Sequence, residues 1–230
     1  GGQFPQDVFG EASARTKVAT YGKIFSLTRQ AIINDDLGLF SKLATKYGSA
    51  AKRLVNKMVY AQLTGTVKMQ DSVALFDDKH GNVAKTAEAL SVTSLAKAIT
   101  AMRRQKGITD EANLNITPKY LVVPPELEIT AYQIVNSTAA VDGTNSGVVN
   151  PYKGRFVVVS DAELTDPTAW YLVADAAQHD TIEVTYLNGV ENPRLETRQG
   201  FDVDGIEYKV AFDVGVDTID FRGLYKNAGK

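Results

Sequence analysis

The chain has 230 residues, of which 44% are hydrophobic and 23% charged, a composition typical of a globular protein with a buried core. It has no cysteine and only two histidines, which excludes thiolate zinc sites, iron–sulfur clusters, cysteine nucleophiles and histidine-rich metal sites. The 25 Lys and Arg nearly balance the 27 Asp and Glu, so only a local patch could contact nucleic acid. No apolar run reaches the roughly 18 residues of a membrane span, and we expect a soluble protein with no membrane partner.

The N-terminal part is expected to form extended segments with little core of their own. Residues 1–20 carry sparse apolar side chains without periodicity, which indicates an extended arm. In residues 17–33, Phe25 and Leu27 alternate with polar neighbours after a Tyr21-Gly22-Lys23 turn, a pattern typical of a half-exposed hairpin. Such a hairpin has too little apolar surface to be stable without a neighbour.

The longest periodic segment follows Asn34-Asp35-Asp36, whose side chains suit a helix N-terminus. Apolar residues then recur every three or four positions, which predicts an amphipathic helix over residues 37–63, about 40 Å long. Gly48 lies in its middle and is expected to bend or weaken it. Basic residues occupy other positions and are expected to form a solvated face that contacts nucleic acid only in an assembly: Lys42, Lys46, Lys52, Arg53 and Lys57.

The remaining sequence predicts two more helices and then strands. An apolar helical pattern at residues 95–102 marks a second helix, and Pro124-Pro125 begins a third that continues to about Val135. Strands are predicted at residues 120–123, 155–160, 170–174, 181–187 and 206–212, with turns at Asn188-Gly189 and Asp204-Gly205. This order predicts an α+β fold with helices first and an antiparallel sheet later.

Candidate catalytic groups are confined to two histidines and an acidic cluster. His80 and His179 lack a second histidine at ligand spacing and are expected at the surface. Asp202-x-Asp204-Gly205 resembles the opening of a calcium loop, but the downstream spacing and the closing glutamate are missing. These acidic residues are therefore expected to lie on the solvent-exposed face of strands and in the turns between them: Asp202, Asp204, Glu207, Asp213, Asp217 and Asp220. We expect no metal and no cofactor.

Five stretches of the sequence resemble segments that are characteristic of a known family, at residues 21–40, 150–159, 170–175, 182–193 and 201–227. The most specific phrases are SLTRQAIINDDLG at residues 26–38 and DFRGLYKN at residues 220–227. Together they resemble the major head subunit of Mu-like tailed phages and prophages, from about Val18 to the C-terminus. A chain that begins at Gly1 is similar to a trimmed mature product of such a precursor, and an engineered boundary explains it equally well.

The resemblance implies the Hong Kong 97-type capsid fold, which combines an N-terminal arm, an extended-loop hairpin, a long spine helix, a peripheral domain and an axial domain. The implied division is residues 1–16 for the arm, 17–34 for the extended-loop hairpin, 35–120 for the peripheral domain with the spine helix at 37–63 passing into the axial domain, 121–180 for mainly the axial domain, and 181–230 for peripheral-domain strands.

The resemblance also implies a non-catalytic protein that self-assembles into hexamers and pentamers of an icosahedral head around double-stranded DNA. Further implied partners are scaffold, maturation protease, portal and decoration proteins, with assembly in the bacterial host cytoplasm and a final place in the virion. The candidate assembly contacts are Tyr21, Lys23, Phe25, Leu27, Arg29, Arg222 and Tyr225, and the five basic residues of the long helix are candidate genome contacts. A covalent Lys23–Asn227 cross-link, as in some capsids of this fold, has little support because no catalytic carboxylate accompanies the motif.

Two other function classes stay open at this stage. A tail-tube or decoration protein of a phage would also self-associate, but it gives no reason for a spine helix after a hairpin. A carboxylate-dependent hydrolase would be built on Asp202, Asp204 and Asp213.

Overall fold

The structure is a computed structural model that describes residues 16–34, 42–108, 112–139, 148–199 and 205–230. The helices in these ranges are α1 (Arg29–Ile33), α2 (Leu43–Thr64), α3 (Val92–Arg103) and α4 (Glu128–Asn136). The strands are β1 (Ala19–Thr28), β2 (Pro118–Val123), β3 (Val157–Ser160), β4 (Trp170–Ala174), β5 (Ile182–Tyr186), β6 (Arg194–Gln199), β7 (Gly205–Thr218) and β8 (Leu224–Asn227). Among the described residues, unit 1 comprises Thr66–Thr181 and Thr218–Lys230, and unit 2 comprises Thr16–Gly65 and Ile182–Asp217.

Unit 1 is a four-stranded sheet in the order β3-β2-β4-β8 that shares its core with α3 and α4. Trp170 and Leu172 of β4, together with Leu121 of β2, are completely buried at its centre. The sheet is mixed rather than antiparallel as predicted, because β2 and β3 run parallel. Parallel neighbours need a long crossover connection, and the segment between β2 and β3 contains α4.

The second and third predicted helices are confirmed. At the start of α3, Ser91 Oγ accepts a hydrogen bond from Ser94 N at 3.1 Å, and Ser94 Oγ accepts one from Ser91 N at 2.9 Å. This reciprocal pair is a capping box, which satisfies backbone donors that the first turn leaves unpaired. A short 3₁₀ turn at Pro125–Leu127 precedes α4, as the proline pair predicts.

Unit 2 packs α2 against a sheet in the order β1-β7-β5, with β6 also paired to β7. Ala51 of α2 and Phe212 and Val214 of β7 are buried where the two meet, and Leu54 and Met58 pack around them. The predicted long helix is present as Leu43–Thr64 and continues through Gly48 without a break, while residues 35–41 lie outside the described ranges.

The predicted hairpin that turns at Tyr21-Gly22-Lys23 is wrong. Residues 19–28 form one continuous strand that pairs antiparallel with β7 over ten residue pairs, and α1 follows directly. A Cβ atom on Gly22 would lie 2.6 Å from the backbone oxygen of Val210. This glycine therefore permits a close approach between two strands, which has the same sequence signature as a turn.

His80 is also placed differently from the prediction, since its residue is only 6% exposed. Its ring stacks on Phe221 with the ring centroids 3.8 Å apart. Nδ1 lies 3.0 Å from the carbonyl oxygen of Leu75, and Nε2 lies 2.8 Å from Asp71 Oδ2. His80 is therefore a hydrogen-bonded core residue of unit 1.

Candidate assembly surface

Strands β1, β6 and β7 of unit 2 form a three-stranded layer with β7 in the middle, called the β1 layer below. All six residues of β6 and eight of the ten in β1 are exposed. The outer edge of β1 pairs with no strand in the described parts of the chain. Because three-stranded sheets are stable only when a hydrophobic face is covered, so much exposure indicates a surface that another molecule covers.

The first face of the β1 layer carries the predicted contacts of β1. Tyr21, Lys23, Phe25 and Leu27 share this face because alternate strand residues point to the same side. The Phe25 ring lies 5.1 Å from that of Tyr208 and 5.6 Å from that of Tyr47 on α2, measured between centroids. Phe25 and Leu27 are half-buried, so these two side chains pack β1 against its own unit.

An apolar groove of about 410 Å³ adjoins these rings within unit 2. Tyr21 and Lys23 of β1, Tyr47 and Leu54 of α2, and Phe212 of β7 line it. Tyr21 remains 38% exposed there. Of the four predicted contacts on β1, Tyr21 and Lys23 are therefore the two that the fold leaves accessible.

The second face of the β1 layer is polar, with one large apolar exception. Ile24, which the sequence analysis missed, is 69% exposed on this face. Its position opposite to Phe25 and Leu27 in the strand alternation is the sequence feature that could have revealed it. Three ion pairs join β6 to β7 around it: Arg198 with Glu207, Glu196 with Lys209, and Arg194 with Asp213.

The other predicted assembly contacts differ in accessibility. Arg29 is exposed at the first position of α1. Arg222 belongs to unit 1, where its Nε donates to the backbone oxygen of Lys106 at 2.8 Å. Tyr225 is only 6% exposed and lies beside Trp170, with ring centroids 6.4 Å apart. It is thus a core residue of unit 1 rather than a surface contact.

The candidate cross-link partner Asn227 is 2% exposed. Its Oδ1 accepts hydrogen bonds from the backbone N–H groups of Glu88 and Gly229, each at 3.0 Å. A lysine of another copy cannot reach this side chain unless β8 opens. The geometry therefore argues against Asn227 as a cross-link site.

The acidic cluster is not assembled into a catalytic pair in the part of the chain that the structure describes. Asp213 Oδ2 lies 3.0 Å from Arg194 Nη1, and Asp217 accepts a hydrogen bond from the backbone N–H of Lys17 at 3.0 Å. Asp202 and Asp204 lie outside the described residues. Within the described ranges, no group of three or more His, Asp or Glu side chains could hold a metal ion.

Asp220 forms a charged cluster with Arg222 and His179 in unit 1. It lies 3.1 Å from Arg222 Nη1 and 3.2 Å from His179 Nε2, and His179 is half-buried rather than a surface residue. Burial by itself would raise the pKa of Asp220, but the adjacent His179 ring, a hydrogen bond from the backbone N–H of Arg222 and the Arg222 guanidinium outweigh it and hold this pKa below its usual value. A hydrogen bond from His80 likewise lowers the pKa of Asp71.

These lowered pKa values predict a loss of stability in acid. A carboxyl with a lowered native pKa stabilises the fold fully above its unfolded pKa of about 3.9, and this contribution disappears as the pH falls through the native pKa. We expect urea unfolding to give a nearly constant free energy between about pH 7 and 5 and a falling one below about pH 4. Asp220→Asn should weaken this fall, whereas the exposed Glu163→Gln should not. An equally steep fall in Asp220→Asn would contradict the assignment.

The sequence of this chain matches the family model of phage capsid proteins over residues 11–227, nearly its whole length. The chain belongs to the phage capsid protein family. No curated protein matches this capsid protein in sequence.

Solved structures share the fold of this capsid protein at low sequence identity. The capsid of Myoviridae phage XM1 matches with a TM-score of 0.60 and 13% identity, over 94% of this chain and 74% of that chain. The capsid of Ralstonia phage GP4 matches with a TM-score of 0.59 and 14% identity over the same shares. The holo-SrpI encapsulin complex from Synechococcus elongatus PCC 7942 gives 0.55 and 8%, over 93% and 74%. These likenesses confirm an α+β fold of the Hong Kong 97-like capsid type.

The capsid protein is accordingly a major structural subunit of an icosahedral phage head, and its place is the virion. Membership of this family excludes both alternative functions, that of a hydrolase and that of a tail-tube or decoration subunit. Among the described residues, no helix has the length and hydropathy to cross a membrane.

Proposed function

We propose that copies of this capsid protein join as hexamers and pentamers of a closed shell around double-stranded DNA, and that the β1 layer is the surface through which each copy contacts its neighbour. The exposure of strands β1 and β6 on either side of the largely buried β7 is the observation that carries the proposal. An exposed strand edge is a ready template for pairing with another chain, and natural proteins usually cover such an edge.

Ile24 gives the contact its apolar part. Its 69% exposure leaves most of its side chain to be buried by a neighbour, and full burial of such a side chain contributes about 1.5–3 kcal/mol. The groove beside Tyr21 and Lys23 offers a second apolar surface on the opposite face. Contacts of this size are weak singly, but they add up when every copy in a closed shell makes them.

The ion pairs on the Ile24 face would fix the orientation in which a neighbouring copy binds. Exposed pairs such as Arg198–Glu207 and Lys209–Glu196 add little to the stability of the subunit. Charges of both signs arranged around an apolar side chain instead favour one orientation of a neighbour over others. A charge-patterned face is therefore suited to a contact that must be repeated with a single geometry.

The finer assignments rest on the sequence phrases. SLTRQAIINDDLG and DFRGLYKN support the Mu-like branch of the family. We assign unit 2, with α2 as the spine helix and the β1 layer as the extended loop, to the peripheral domain, and the sheet of unit 1 mainly to the axial domain. Scaffold, maturation protease, portal and decoration proteins are the further proposed partners, and assembly takes place in the host cytoplasm.

The test replaces Ile24 by aspartate. A charge at the centre of the proposed contact should leave the subunit folded, because Ile24 is mostly exposed, and should lower the yield of shells at least tenfold in sedimentation and electron microscopy. Val190→Asp is the matched control, since Val190 is 57% exposed but lies outside the strands. Shell yields that fall equally in both variants, or in neither, would refute the assignment of the contact to the β1 layer.

A further inference from the structure

Helix α2 carries a line of positive charge along one side. Lys42, Lys46, Arg53 and Lys57 follow one another at spacings of four, seven and four residues, and all four are exposed. At about 100° per residue they fall within a sector of roughly 60° and span about 22 Å along the helix axis. These four residues are called the basic stripe below. Lys52 is equally exposed but projects about 110° away from the stripe.

Within the described ranges, which begin again at residue 42, no neighbouring carboxylate neutralises the charge of the basic stripe. Residues 42–64 contain no Asp or Glu. Among the described residues, none of the four stripe side chains takes part in an ion pair. The cations on the Ile24 face of the β1 layer differ in this respect, because Arg194, Arg198 and Lys209 each pair with a carboxylate.

The basic stripe works against the stability of its own helix. Lys42 is the N-cap residue without a capping hydrogen bond, and the first turn contains no acidic residue that would complement the positive end of the helix dipole. The pairs Lys42/Lys46 and Arg53/Lys57 have like charges four residues apart, and each such pair destabilises a helix. Departures from local rules of this kind are typical of functional surfaces.

We propose that the basic stripe binds the phosphate backbone of double-stranded DNA without sequence preference. Duplex DNA presents about one negative charge per 1.7 Å of its axis, so a straight row of cations about 22 Å long meets phosphates along its whole length. With a net charge of −2, the chain does not attract DNA as a whole, so binding requires a local basic surface such as this one.

A protein partner fits the basic stripe less well than DNA does. Protein interfaces are depleted in lysine and are built around apolar or aromatic anchors. Three of the four stripe residues are lysines, and the exposed residues between them on the same side include Ser49 rather than an anchor of that kind. The inference rests on the proposed function, because a closed shell supplies the enclosed DNA and repeats the stripe in every copy.

The experiment measures binding of the full chain to a labelled duplex of random sequence by fluorescence anisotropy over a salt series, at concentrations where sedimentation shows no assembly. Four phosphate contacts predict a slope of roughly −3.6 for log K against log salt. Lys46→Gln/Arg53→Gln should reduce the slope to about −1.8, whereas Lys52→Gln should leave it at the wild-type value. The melting temperature of the double variant should not fall, because charge repulsion has been removed.

Three results test whether the basic stripe binds DNA and whether this inference stands apart from the proposed function. Equal loss of slope in Lys52→Gln and in the double variant would overturn the basic stripe as the site. Displacement of DNA by polyglutamate at the same charge concentration would make an acidic protein surface the better partner and overturn the DNA proposal. Shell yield separates this inference from the proposed function: the double variant should assemble like wild type, and a wild-type chain that binds DNA but never forms shells counts against the proposed function alone.

Discussion

Replacing Trp170 by alanine is expected to lower the free energy of unfolding by about 3–5 kcal/mol, the range typical of a large aromatic side chain removed from a core. Trp170 is 0% exposed and packs beside Tyr225 in the core of unit 1. Its Nε1 donates a hydrogen bond to the backbone oxygen of Glu88 at 3.2 Å. The substitution leaves a cavity and an unpaired carbonyl group together, so both losses add to the cost.

The measurement is denaturant unfolding followed by far-ultraviolet circular dichroism, because Trp170 is the single tryptophan and its removal abolishes the indole fluorescence signal. Tyr132→Ala is the control, since Tyr132 is 46% exposed on α4 and should cost less than about 1 kcal/mol. A loss in Trp170→Ala no larger than in the control would contradict the packing of unit 1.

Gly22→Ala is expected to weaken the pairing of β1 with β7 and thereby to reduce shell assembly. The added Cβ would lie 2.6 Å from the backbone oxygen of Val210, and a backbone atom cannot move aside as the end of a side chain can. Added atoms at a closely packed position typically cost about 1–3 kcal/mol. Because β1 carries Ile24, the centre of the proposed contact, and lies at an edge of its sheet, a detached β1 should abolish most shell formation.

The same substitution elsewhere gives the matched control. A Cβ on Gly48 meets nothing within 4 Å, and this residue lies inside α2. Alanine is favoured over glycine in a helix interior, so Gly48→Ala should raise the unfolding free energy by roughly 0.5–1 kcal/mol. Gly22→Ala should lower both the melting temperature in thermal unfolding and the shell yield, whereas Gly48→Ala should lower neither. Two variants with the same loss would refute the close approach at Gly22.

Local patterns in the sequence correctly predicted the elements whose formation depends on residues close to one another in the chain. The periodicities of α2 and α3 and the proline pair before α4 all produced the expected helices, and β4 has the predicted bounds. Where two distant segments interact, the sequence was misleading. Gly22 was interpreted as a turn because the strand that approaches it lies almost 190 residues away, at Val210.

At the candidate assembly surface too, the sequence predicted what depends on neighbouring residues and missed what depends on distant segments. Strand alternation correctly put Phe25 and Leu27 on one face, but it could not show that Phe25 is covered by Tyr47 and Tyr208. Tyr225 lies in the core because β8 pairs with β4, opposite Leu172, and this pairing has no local signature. For the long helix, the sequence predicted five equivalent basic residues, whereas the helix geometry separates Lys52 from the other four.

The most direct test of the account is electron cryomicroscopy of particles assembled from the full chain at neutral pH and moderate salt. We predict closed icosahedral shells of hexamers and pentamers in which the β1 layer, with Ile24 at its centre, lies against a neighbouring copy. Closed shells in which both faces of this layer remain in solvent, or fibres and rings of a single symmetry in place of shells, would contradict the account.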